Sequence, residues 1–271
     1  MRRWTVAVAL LAVTLTACRD ETVRVTFRPA VGAVYRYEVT VRSHSEVRIP
    51  GEKPDIRDEE VVLQSEHTVL DAGPEGVRVR VILGDASGSV RTFVVVFDRA
   101  AQLESVEADD AAAVGEADAP GSETAALGIS EIFPAAAGAP PDRRLAPGER
   151  WAVDDTVEVP GSVGEAKLVG EGRLVELGID DGEDVARLAT SAVLRLQVAQ
   201  QDEGGETVLL DGEQVTEQRA THDLADGAVR SASSTTTGTF ALEIEPPFGQ
   251  LRDAVRGTLE VRVTSKTVRL D

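Results

Sequence analysis

From Val34 to Ile49 the sequence "VYRYEVTVRSHSEVRI" alternates for sixteen residues. Odd positions carry Tyr35, Tyr37, Val39, Val41, Val47 and Ile49, while Arg36, Glu38, Thr40, Arg42, His44, Glu46 and Arg48 fill the even ones. Successive side chains of a strand point to opposite faces, so period two over this length specifies a long strand with one dry and one wet face. A slip of one residue would turn every valine into water, and the pattern therefore fixes register as well as type. Similar runs cover Val61–Leu70, Val77–Leu83, Val90–Phe97, Ala166–Leu177, Val185–Val198, Gln214–Leu224, Ala228–Ile244 and Thr258–Leu270. Turn signals such as "DAGPEG" (Asp71–Gly76), "GDASGS" (Gly84–Ser89) and "GIDDGED" (Gly178–Asp184) separate them, and strands joined by short turns pair antiparallel.

The order of these runs suggests two similar β-units, residues 23–107 and 149–271, completing one sheet. Each opens on a glycine followed three residues later by an aromatic, Gly32 to Tyr35 in "GAVYRY" and Gly148 to Trp151 in "GERWAV". Each then reaches a leucine before an acidic, glycine-bearing turn. The competing expectation is two separate sandwiches joined by the central segment. That segment, 108–148, is rich in Ala, Gly, Pro, Asp and Glu. Within it "SETAALGISEIF" (Ser122–Phe133) has a capping serine, an early glutamate and Ala126, Ile129 and Phe133 at helical spacing, closed by Pro134. It reads as an amphipathic helix lying on the dry face of the sheet.

The N-terminus has a different logic. Met1-Arg2-Arg3 precedes an uncharged run from Trp4 to Thr16, and "LTAC" (Leu15–Cys18) holds the one cysteine of the 271 residues. This is the layout of a secretory signal. Thirteen helical residues span about 20 Å, short of the ~30 Å hydrocarbon core, so a permanent transmembrane helix is the weaker reading. Loss of residues 1–17 removes Arg2 and Arg3 and takes the formal charge from −19 to −21. Such an acidic chain is expected to be repelled by nucleic acid and, overall, by anionic lipid headgroups, so no nucleic-acid partner is expected.

Leu15, Thr16, Ala17 and Cys18 resemble the lipobox of bacterial lipoproteins. The resemblance implies a diacylglyceryl group on Cys18, cleavage before it, and a mature protein anchored by acyl chains to the extracytoplasmic side of a bacterial membrane. Only Arg19 to Thr22 then separate Cys18 from the first strand-like stretch, "VRVTF" (Val23–Phe27), a reach of about 14 Å. With the long alternating strands and the central helical region, the chain is similar to the LolA-like and LppX-like lipoprotein carriers. That likeness implies a mostly β fold: a curved antiparallel sheet of half-barrel or open-barrel form, with the central helix on its concave face and acyl chains held between them.

Catalytic groups are sparse. His44, His67 and His222 are far apart in sequence, and the chain has no Gly-x-Ser-x-Gly, His-Glu-x-x-His or phosphate-loop motif, so a non-enzyme is expected, without cofactor or metal. Asp180, Asp181, Glu183 and Asp184 form an acidic turn whose spacing fits no EF-hand loop. Two functional classes compete. A carrier would hold a lipid or other hydrophobic molecule on Tyr35, Tyr37, Val39, Val41, Leu63, Phe93, Val95, Leu259, Val261 and Val263, with Ile129 and Phe133 as the lid. A non-catalytic interaction or structural lipoprotein would have a solid core behind the same face and meet an unspecified envelope protein through its acidic surface.

Overall fold

The computed structural model describes residues 22–74, 76–86, 88–98, 103–108, 139–157, 166–201, 206–246 and 254–270. Among them every regular element is a strand: β1 (Val34–Arg48), β2 (Asp55–Ala72), β3 (Val77–Asp85), β4 (Val90–Phe97), β5 (Leu103–Ala108), β6 (Arg150–Val157), β7 (Ala166–Asp180), β8 (Glu183–Gln201), β9 (Thr207–Asp223), β10 (Val229–Glu245) and β11 (Val255–Leu270). All eleven join one curved, open antiparallel sheet in the order β5-β4-β3-β2-β1-β11-β10-β9-β8-β7-β6. Two meanders, β1 to β5 and β6 to β11, thus meet in mid-sheet where β11 pairs with β1, Arg36 opposite Leu270 and Arg48 opposite Thr258. The single sheet replaces the alternative of two separate sandwiches.

The strands extend beyond their hydrophobic runs. The first residues of β2, "DIRDEE", are exposed on both faces, so no apolar pattern marks them. They are held as a strand by backbone pairing with β1, aided by Arg42–Glu60 (3.1 Å) and His44–Asp58 (2.7 Å). The two edges, β5 and β6, are short and lie outside the long alternating runs. The expected helix Ser122–Phe133, including Ile129 and Phe133, lies outside the described residues, so the fold as described has no helical layer on the sheet.

One face of the sheet is dry. The odd residues of β1 turn inward, with Tyr35, Tyr37, Val39 and Val41 buried, as the alternation requires. They pack with Leu63, Val79, Val81 and Val95 into one apolar cluster. A second cluster gathers Trp151, Val153, Leu168, Leu174, Leu188 and Leu194 from β6, β7 and β8. Residues 22–30, here called the strap, link the two across the dry face. Val23 pairs with Leu145, Val25 is buried in the second cluster, and Phe27 packs on the first, its ring 5.9 Å from that of Phe97. The stretch read as a first strand is therefore a crossing segment with a single bridge.

The two meanders repeat one local device. Gly32 and Gly148 have φ of 83° and 85° and end tight turns, Ala33 N–H donating to Ala30 O and Glu149 N–H to Ala146 O. Each glycine N–H then donates to the second strand of its own meander, to Val69 O and to Leu174 O. In both strands the register shifts immediately afterwards, between Val69 and Asp71 and between Leu174 and Glu176. A β-bulge of this kind bends a strand and sharpens its twist. It falls at matching places in both halves, next to the fully buried Val69 and Leu174.

Candidate functional site

The dry face divides along the strands into a filled end and an open end. At the filled end Tyr35, Tyr37, Val39, Val41, Leu63 and Val95 are at most 6% exposed and packed on one another, with Phe93 and Val263 against them. Leu259 and Val261 lie further along β11, half-buried and in neither cluster. The structure therefore brings the sequence-predicted face together on one side of the sheet, but spends six of its members on the protein's own core.

Register extends the open end beyond the residues expected from sequence. Leu196 on β8 pairs with Gly212, Gly212 with Phe240, Phe240 with Leu259 and Leu259 with Val47. The next step along the strands pairs Val198 with Leu210 and Leu210 with Leu242. Phe240 lies flat on the sheet: a Cβ at Gly238 would come within 2.7 Å of its ring, and one at Gly212 within 2.9 Å. Two glycines thus make room for the buried Phe240 ring, in an apolar row, or floor, that crosses five strands and is half-buried at Leu196, Leu259 and Val47. Sequence reading missed the β8 and β9 part of this floor because Leu196, Val198 and Leu210 join it only through long-range register.

A polar row separates this floor from the filled end. Thr190, Gln218, Ser234 and Ser265 stand opposite one another in turn on β8 to β11. In and beside this row Ser234 bonds Ser265 (2.8 Å) and Thr216 bonds Thr236 (2.9 Å). Nearby, the buried Thr267 Oγ1 has no hydrogen-bond partner among the described residues. Buried hydroxyls cost stability unless paired, so a row of them within a dry face is a specific feature rather than filler.

The filled end closes with charges. The Tyr35 hydroxyl donates to Asp226 Oδ2 (2.8 Å), and Arg269 lies 5.3 Å from the Tyr35 ring centroid. Burial, then the hydrogen bond to Asp226, pushes the Tyr35 phenol well above its ordinary range, and burial does the same to Tyr37. Arg230 sits among Asp180 (3.7 Å), Asp181 (3.6 Å) and Asp223 (3.9 Å). The acidic turn of β7–β8 is thereby committed in part to an arginine, and among the described residues no acidic, histidine or cysteine group could hold a metal.

The histidines stay apart. His44 is on the wet face with Asp58. His67 lies under the Tyr37 ring (4.7 Å between centroids), its Nε2 2.6 Å from Ser65 Oγ, and burial pushes it down to about 3. His222 Nδ1 is 3.1 Å from the Gly227 carbonyl, and burial lowers its pKa too, against that bond. Neutral and separate, the half-buried His67 and the buried His222 are built as core groups.

Compared with known protein families and with characterised proteins, the chain matches none.

Proposed function

We propose that this is a lipoprotein, anchored through Cys18 on the extracytoplasmic side of a bacterial membrane, whose sheet holds a lipid or similar hydrophobic molecule at the open end of its dry face. The observation that carries the reading is the half-buried apolar floor around Leu259, Val261 and Leu196, set beside a polar row that would face a ligand's head while the floor takes its chain. Sites for apolar ligands combine such a surface with a few placed polar groups. The short tether after Cys18 would keep the trough within reach of the bilayer. The buried residues from Tyr35 to Val95 form the wall behind the site rather than its lining.

The test is native mass spectrometry of the full chain extracted from bacterial membranes in mild detergent. A co-purifying lipid, retained by the wild type and lost from Val261→Glu, is the expected result. Val261 is half-buried outside both clusters, so the fold should tolerate the change. Recovery of the wild type without any ligand would leave the interaction module, which the filled end of the trough favours.

A further inference from the structure

The wet face carries a feature that the trough does not explain. Across β6 to β11, Arg150 stands opposite Arg173, Arg173 opposite Ala189, Ala189 opposite Arg219, Arg219 opposite Ser233 and Ser233 opposite Lys266. One row thus presents four cations and no anion, in a chain with 28 basic and 47 acidic residues. The row on one side mixes signs, Arg187 standing opposite Glu176, and the row on the other carries anions alone, Glu171 opposite Ser191 opposite Glu217. Like charges directly opposite one another destabilise a sheet. Arg150 is relieved by Glu171 at 2.8 Å, whereas Arg173, Arg219 and Lys266 form no ion pair among the described residues.

The gap in the row is as informative as its charges. Between Arg173 and Arg219 the intervening strand carries only the methyl of Ala189. Their Cα atoms are two strand spacings apart, about 10 Å, a span that two arginine side chains close from either side. A groove of about 490 Å³ lies there, lined also by Ser191, Ser233, Thr235 and Glu217. A guanidinium offers a planar fork of donors matched to phosphate oxygens, and two forks with a neighbouring hydroxyl satisfy a phosphate better than a carboxylate. Glu217 and Glu171 keep the groove as a whole near neutrality, so it discriminates against diffuse attraction of anions.

We propose that this groove on the wet face binds a phosphate group, held between Arg173 and Arg219 above Ala189 with Ser233 as an added donor. The phosphate is that of a soluble phosphate ester or of a lipid headgroup. The experiment titrates the full chain in non-ionic detergent by calorimetry. One arm uses inorganic phosphate and glycerol 3-phosphate; the other uses micelles doped with phosphatidylglycerol, compared with diacylglycerol. Saturable one-to-one binding is expected, weakened at least tenfold in R173Q and in R219Q and unchanged in R195Q. Arg195 is 85% exposed on the same face and its loss removes the same charge. A response in the soluble arm assigns a phosphate ester, and one confined to doped micelles assigns a headgroup. Absence of saturable binding in both arms overturns the proposal, as does equal weakening in R195Q.

Discussion

Gly227→Ala strikes a backbone contact between the strap and the β9–β10 turn. Gly227 has φ of 77°, and a Cβ there would overlap the Thr26 carbonyl and come within 2.8 Å of Phe27 N. The positive φ alone costs an L-residue ~1–2 kcal/mol. The obstacles are backbone atoms, so no rotamer change relieves them and the strap must move by about an ångström. That movement breaks the bond from Arg28 N–H to Asp226 O (2.6 Å), worth ~1 kcal/mol, and loosens the packing of Phe27, worth a further ~1 kcal/mol. The expected loss is about 3–4 kcal/mol. Gly182→Ala is the matched control: its φ is 88° but nothing lies within 4 Å of its Cβ, so only the conformational cost of ~1–2 kcal/mol remains. Urea unfolding followed by circular dichroism gives both values, and hydrogen exchange at Val23–Arg28 should accelerate in Gly227→Ala alone. Equal destabilisation by the two substitutions would refute a strap seated on the turn.

Two further outcomes follow from single groups. His67 is held at about 3, against an ordinary 6.5, so within that window the unfolded chain binds a proton that the folded chain refuses. Stability should therefore fall as pH drops from 6.5 toward 3. His67→Gln should flatten that slope in urea midpoints measured at several pH values, leaving the part due to His222; parallel slopes in the two proteins would contradict the burial argument. Cys18→Ser should release the protein from membrane to soluble fractions, and unchanged membrane retention would sink the lipid anchor.

The dry and wet faces of β1 were legible because sixteen alternating residues allow only one register. Gly32 and Gly148 likewise marked equivalent turns, since their positive φ is a local demand. The sheet order was not legible: pairing β1 with β11 depends on residues more than 200 positions apart, and no short pattern encodes it. β5 and β6 show no long alternation because edge strands need little hydrophobic periodicity. The ligand face was read from parity, which tells which side a residue takes but not what covers it. Whether Val41 or Val261 is buried depends on curvature and on the strap, whose crossing path "VRVTF" does not announce. The basic row is invisible in sequence for the same reason, being assembled from six strands.

The seam between β1 and β11 governs the order in which this sheet can form. Every other pairing of two described strands joins neighbours in the chain, whereas this one brings Arg36 to Leu270 and carries the cost of closing the longest loop among them. A chain made from its N-terminus holds β1 ready while its partner is the last strand to emerge. Until then β1 offers a long unpaired edge, the kind of surface that joins edge to edge with other copies. The alternating charges Arg36, Glu38 and Arg42 on its wet side act as gatekeepers during that wait. Removing β11 would accordingly do more than trim an end. It would part the sheet down the middle, leaving two meanders with fresh edges at β1 and β10.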